Sequence, residues 1–173
     1  MAVAVFLLVV GVSAFAQYSI DRRTMSEAGE YYVVFHAYGP GAILPDGDRS
    51  KAGHAFVQFI SSPPNANQTS FELRGMNRAE LWYDPTDWGS VRSESVVLLG
   101  LSQLSLSVRV NSHVFNAASR VSQNSWYFLA VNDCVSYGAK VAAAIGLNTG
   151  ARYTSDLNTW YPMDFLQRLI SSN

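Results

Sequence analysis

The stretch Trp126 to Gly146, WYFLAVNDCVSYGAKVAAAIG, constrains the fold of this chain more than any other segment. Trp126 to Val131 is an apolar, strand-like run, and Asn132-Asp133 offers caps for a helix start. Cys134 to Ile145 has helical spacing, and Gly146 is the glycine that ends it. A strand that runs straight into a helix, preceded by several further strand candidates, predicts an α+β fold. The same segment places Cys134 in the first helical turn.

Cys134 is the only cysteine, so it forms no internal disulfide. Inert packing, an intermolecular bond and chemical reactivity are the roles left to it. A helix start favours the third, because free backbone N–H groups and the positive end of the helix dipole stabilise a negative sulfur. The same N–H groups can contribute to an oxyanion hole. Gly138, one turn further along that face, is expected to remove bulk where a facing strand comes close.

The rest of the chain reads as sheet followed by helix. Tyr31–Tyr38, His54–Ile60 and 69–74 are rich in β-branched and aromatic residues and bounded by Gly, Pro and Asn, which predicts three antiparallel strands. Residues 17 to 30 read as a solvated lead-in. Residues 75 to 93 read as turns, with a short strand at Leu81–Tyr83, and Glu94–Leu99 as a further strand. Residues 101 to 110 fit either strand or helix. A helix follows, capped by Asn111 or Ser112, with Val114, Ala117, Ala118 and Val121 on one stripe.

With 173 residues, 49% of them hydrophobic and 14% charged, the chain can bury one core, and residues 17–173 are expected to form a single domain. Residues 1–16, MAVAVFLLVVGVSAFA, carry no charge and end in a small-x-small pattern, which predicts a secretory signal peptide cut before Gln17. The absence of Lys or Arg ahead of the apolar run departs from that pattern and leaves a buried strand or a short anchor as alternatives. The run is shorter than the ~20 residues of a spanning helix. The expected location is therefore secreted or periplasmic, with no stable membrane association after cleavage. A net charge of −1 and scattered basic residues give no support for nucleic-acid binding.

A nucleophilic thiol needs a base, and the histidines are His36, His54 and His113. His113 falls on a helix surface and His36 mid-strand among apolar neighbours. His54, between Gly53 and Ala55 at a strand start, is the best base candidate. Asp46-Gly47-Asp48 lacks the later ligands of a calcium loop and reads as a polar turn. One cysteine and three separated histidines offer no zinc spacing. No metal or cofactor is expected, and no serine stands in a nucleophile-elbow pattern.

Taken together, GHAFVQF at 53–59, the 126–147 segment and PMDFL at 162–166 resemble circularly permuted papain-like cysteine hydrolases. That group includes NlpC-type peptidoglycan peptidases and, more distantly, lecithin:retinol acyltransferase relatives. The resemblance implies a permuted papain-like fold, with an antiparallel sheet packed against helices and the nucleophile at a helix N-terminus. It implies Cys134 as nucleophile, His54 as base, and a polar residue on the next strand to orient the imidazole. Glu72 is the expected third residue, with Gln58 and Asn67 as alternatives. Asn132 or Asp133 would aid the oxyanion hole or simply cap the helix. The implied activity is hydrolysis of an amide in a peptide or peptidoglycan fragment. A lipid-ester acyltransferase or hydrolase and an inactive domain binding wall or glycan ligands are the alternatives. An inhibitor or immunity protein is the protein partner this resemblance leaves room for. Trp82, Tyr83, Trp88, Tyr153, Trp160 and Tyr161 are candidates for a substrate groove or for core packing.

Overall fold

A computed structural model of the protein describes residues 16–44, 47–66, 68–78, 88–122, 124–126, 133–149 and 161–173. The elements in chain order are β1 (Ala16–Asp21), β2 (Glu30–Tyr38), β3 (His54–Ser62), β4 (Ser70–Arg78) and β5 (Trp88–Ser93). A short 3-10 helix at Val96–Leu101 follows, then β6 (Leu104–Arg109), α1 (Ser112–Ser119), β7 (Asn124–Trp126), α2 (Cys134–Ala144) and α3 (Pro162–Ser171). Among the described residues the strands form one sheet in the order β1-β6-β2-β3-β4-β5-β7, packed against helices in an α+β arrangement. The expected signal peptide lies outside the described residues except for Ala16, which opens β1.

The sheet is mixed rather than wholly antiparallel, because β1 pairs with β6 in parallel. All the other neighbours run antiparallel. Three local expectations change. The supposed solvated lead-in contains β1, an edge strand whose side chains are mostly exposed and therefore carry no apolar alternation. Part of the supposed turn region is β5. The supposed strand at 94–99 is instead the 3-10 helix, started by Ser95, whose hydroxyl accepts from the Val97 N–H. The short strand expected at Leu81–Tyr83 lies outside the described residues.

Strand periodicity divides the sheet into two faces. Val33, Phe35 and Ala37 of β2 share one face with Ala55, Val57 and Phe59 of β3 and Leu104, Leu106 and Val108 of β6. This face packs against Val135, Tyr137 and Val141 of α2, Phe115 of α1 and Phe165, Leu166 and Leu169 of α3 to form the main core. The opposite face holds Tyr38, Phe56 and Leu73, covered by Leu98 of the 3-10 helix. Ala42 and Leu44 flank that smaller cluster. Gly138 makes a close approach, but to helix α3 rather than to a strand: a Cβ there would lie 3.1 Å from the Phe165 ring.

The start of α1 is held from the lead-in. Asn111 is its N-cap residue, yet its Oδ1 accepts from the backbone and hydroxyl of Thr24. Glu27 accepts from the backbone and hydroxyl of Ser112 in its place.

Candidate active site

Cys134 is the first residue of α2. Asp133 caps the helix by accepting from the Ser136 N–H at 2.9 Å, and the Ser136 hydroxyl accepts from the Asp133 N–H at 2.7 Å. This reciprocal box fixes the entry of the chain into the helix. It leaves the Cys134 N–H, like others at a helix start, without an intrahelical acceptor. Asp133 is 2% exposed and spent on this cap, while Asn132 lies outside the described residues.

His54 is the first residue of β3, directly opposite Tyr38 of β2. Gly53 ahead of it has φ +81°, and a Cβ there would overlap the Tyr38 carbonyl oxygen. Only glycine allows so close a pass, which is the physical content of the Gly-His pair. The His54 side chain is 12% exposed and the Glu94 side chain 11%, and His54 Nε2 lies 2.8 Å from Glu94 Oε1. Cys134, at the start of α2, is the other side chain that acts on this imidazole.

The electrostatics follow from this line of groups. Burial by itself would push the His54 imidazole down. The charge of Cys134 and its hydrogen bond, then the hydrogen bond and charge of Glu94, outweigh burial and raise it to about 10. Tyr38 responds to the same two groups: burial first, then Glu94 and Cys134, push its phenol up to about 12. Tyr38 is 5% exposed and its ring centroid lies 6.0 Å from that of His54. A carboxylate, an imidazole, a thiol and a neutral phenol are thus gathered at one end of the sheet, beside the start of α2.

The residues expected from the sequence divide accordingly. Cys134 and His54 come together. Glu72 does not join them: it stands opposite Phe59 in register, is paired with Arg74 at 2.7 Å, and its side chain is 45% exposed. Gln58 faces His36 instead, with Oε1 3.1 Å from His36 Nε2, and Asn67 lies outside the described residues. His36 is 8% exposed, has Ser102 Oγ 3.1 Å from its Nδ1, and is pushed down by burial to about 4. It is a neutral core histidine. His113 is on the surface of α1.

The acid that holds His54 is Glu94, which the sequence reading placed at the start of a strand. It sits beyond the end of β5, and its N–H donates to the Leu73 carbonyl of β4 at 2.8 Å. The β4–β5 register, with Gly75 opposite Arg92 and Arg74 opposite Ser93, carries it there. The one sequence signal for it is a lone carboxylate in SESVVLLG, ahead of an uncharged run.

Among the described residues no group of His, Cys, Asp and Glu is arranged to hold a metal ion. Of the expected groove residues, Trp82, Tyr83, Tyr153 and Trp160 lie outside the described residues. Trp88 opens β5, and Tyr161 is half exposed at the cap of α3. No protein-family model, curated protein or solved structure matches this chain.

Proposed function

We propose that the protein is a cysteine hydrolase of permuted papain-like type, with Cys134 as nucleophile, His54 as acid and base, and Glu94 as the residue that orients the imidazole. The observation that carries this reading is the line from the helix-start thiol through His54 to a part-buried carboxylate at 2.8 Å. A packed, inert cysteine requires no charged imidazole beside it, and a surface ion pair requires no helix start.

The chemistry then runs as acyl transfer. The Cys134 thiolate attacks the carbonyl carbon of the substrate amide, and N–H groups at the start of α2 receive the developing oxyanion. The His54 imidazolium gives its proton to the leaving nitrogen, the C–N bond breaks, and a thioester forms. The neutral imidazole takes a proton from water, whose oxygen attacks the thioester. The acid product leaves, and the thiolate and imidazolium are restored.

Peptidoglycan peptide is the first substrate, on the resemblance of the two motifs to NlpC-type peptidases together with the secreted or periplasmic location read from residues 1–16. Hydrolysis of an acyl ester is the second reading. It is favoured by the 3-10 helix directly after Glu94, which has no charged residue and exposes Val96 and Val97 by 55% and 52%. The test is digestion of purified peptidoglycan, and in parallel of a panel of acyl esters, by wild type and Cys134→Ala, with products identified by mass spectrometry. Products from wild type alone support the mechanism, and the substrate cleaved selects between the readings. Equal products from both proteins refute it. Iodoacetamide labelling gives a second check: reaction of Cys134 that His54→Ala slows supports the pair, whereas a thiol inert in the native protein sinks the enzyme reading.

A further inference from the structure

Gly75 lies within β4, opposite Phe56 of β3 and Arg92 of β5. A glycine inside a strand weakens it, since it contributes no packing and loses more chain freedom on folding. The usual justification, a left-handed backbone, is absent, because Gly75 is not among the glycines of positive φ. What surrounds it supplies another reason. A Cβ on Gly75 would overlap Glu94 Oε1, stand 3.0 Å from Glu94 Cδ and lie 2.8 Å from His54 Nε2. Both atoms of the His54–Glu94 hydrogen bond therefore lie over this one position.

We propose that Gly75 is a positioning residue: the side chain it lacks leaves, on the surface of β4, the space in which the Glu94 carboxylate meets His54 Nε2. The β3–β4 register sets Gly75 opposite Phe56, the next residue after His54 on that face, and the Glu94 N–H bonds the Leu73 carbonyl of β4 just past the end of β5, with its carboxylate over Gly75. Any other residue at 75 displaces the carboxylate, because the alternative is to shift the central strands. The ring is then no longer held from Nε2, and its charge is no longer balanced on that side. The catalytic consequence rests on the hydrolase reading above, whereas the structural relation between Gly75, Glu94 and His54 stands apart from it.

The backbone at Gly75 accepts an L-residue, so Gly75→Ala probes the space alone. The experiment is a cycle of Gly75→Ala, Glu94→Ala and the double variant, followed by thermal melting and by NMR titration of the His54 ring, with Gly100→Ala as control. Gly100 has open space where a Cβ would go. Gly75→Ala is expected to lower Tm by several degrees in the wild-type background and by much less without Glu94, since the ring can then tilt into the vacated space. The His54 titration is expected to move to lower pH in Gly75→Ala, as in Glu94→Gln, and to stay in place in Gly100→Ala. If Gly75→Ala alone fails to fold, recovery of folding in the double variant supports the proposal and its absence overturns it. Additive Tm losses, or an unmoved His54 titration in Gly75→Ala, also overturn it. Because neither readout requires turnover, a wild type inactive on every substrate tested removes the hydrolase reading and leaves this one to be decided separately.

Discussion

Two histidines on the same face of adjacent strands, joined through the ring of Phe56, are driven in opposite directions by what they face. His36 stacks on Phe56 at 4.9 Å and meets only neutral partners, so burial dominates and it is pushed down to about 4. His54, 6.1 Å from the same ring, meets Cys134 and Glu94 and is held up at about 10. For His36, the neutral form is the one the fold prefers. Its contribution is present above pH 6.5 and is lost as pH falls from there towards 4, on the order of 3 kcal/mol in all. Urea melts across that range are expected to show the loss, and a flat profile would argue against a neutral His36. For His54, the imidazolium persists through neutral pH, so activity depending on it falls only as pH rises towards about 10. Glu94→Gln is expected to move that alkaline limb to lower pH and to reduce kcat/KM by about 100-fold, at the low end of general acid–base contributions. Glu72→Gln is expected to leave both unchanged and to cost less than about 1 kcal/mol, as for an exposed ion pair. Cys134 and His54 were legible in the sequence because each sits in a short local motif. Glu94 was not, because its place beside His54 depends on the register of two strands, which no local pattern encodes.

At the scale of elements, the start of α2 bears the most consequence. The Asp133–Ser136 box is buried and closes the turn that presents Cys134. Asp133→Ala is expected to cost about 1–2 kcal/mol in a denaturant melt, and to slow Cys134 labelling by more than the loss of stability explains. Unchanged labelling would show that the cap holds the helix but not the thiol. The helix itself was readable from its caps, its spacing and Gly146, whose φ is +75°. The 3-10 helix was not: Val96 to Leu99 has the β-branched and apolar content of a strand, and six residues are too few for periodicity to decide. Only Ser95, read as a cap, distinguishes the two.

At the scale of the whole molecule, β2, β3 and β4 form the centre of the sheet, β6 and β5 flank them, and β1 and β7 have one neighbour each among the described residues. Hydrogen exchange is expected to be slowest in β2 and β3 and fastest in β1, which has no outer neighbour among the described residues and whose side chains are mostly exposed. Uniform protection across the sheet would count against this arrangement. The α+β class was legible from the run of strands ahead of the helices. The parallel β1–β6 pair was not, since it joins segments far apart in the chain, one of which lacks an apolar face. Chain order has a further consequence for the site. Its parts occur in the sequence as Tyr38, His54, Gly75, Glu94 and, last, Cys134. On the proposed hydrolase reading, a growing or truncated chain that stops before residue 134 can contain His54 and Glu94 yet has no nucleophile, so reactivity would be confined to chains that have passed that point.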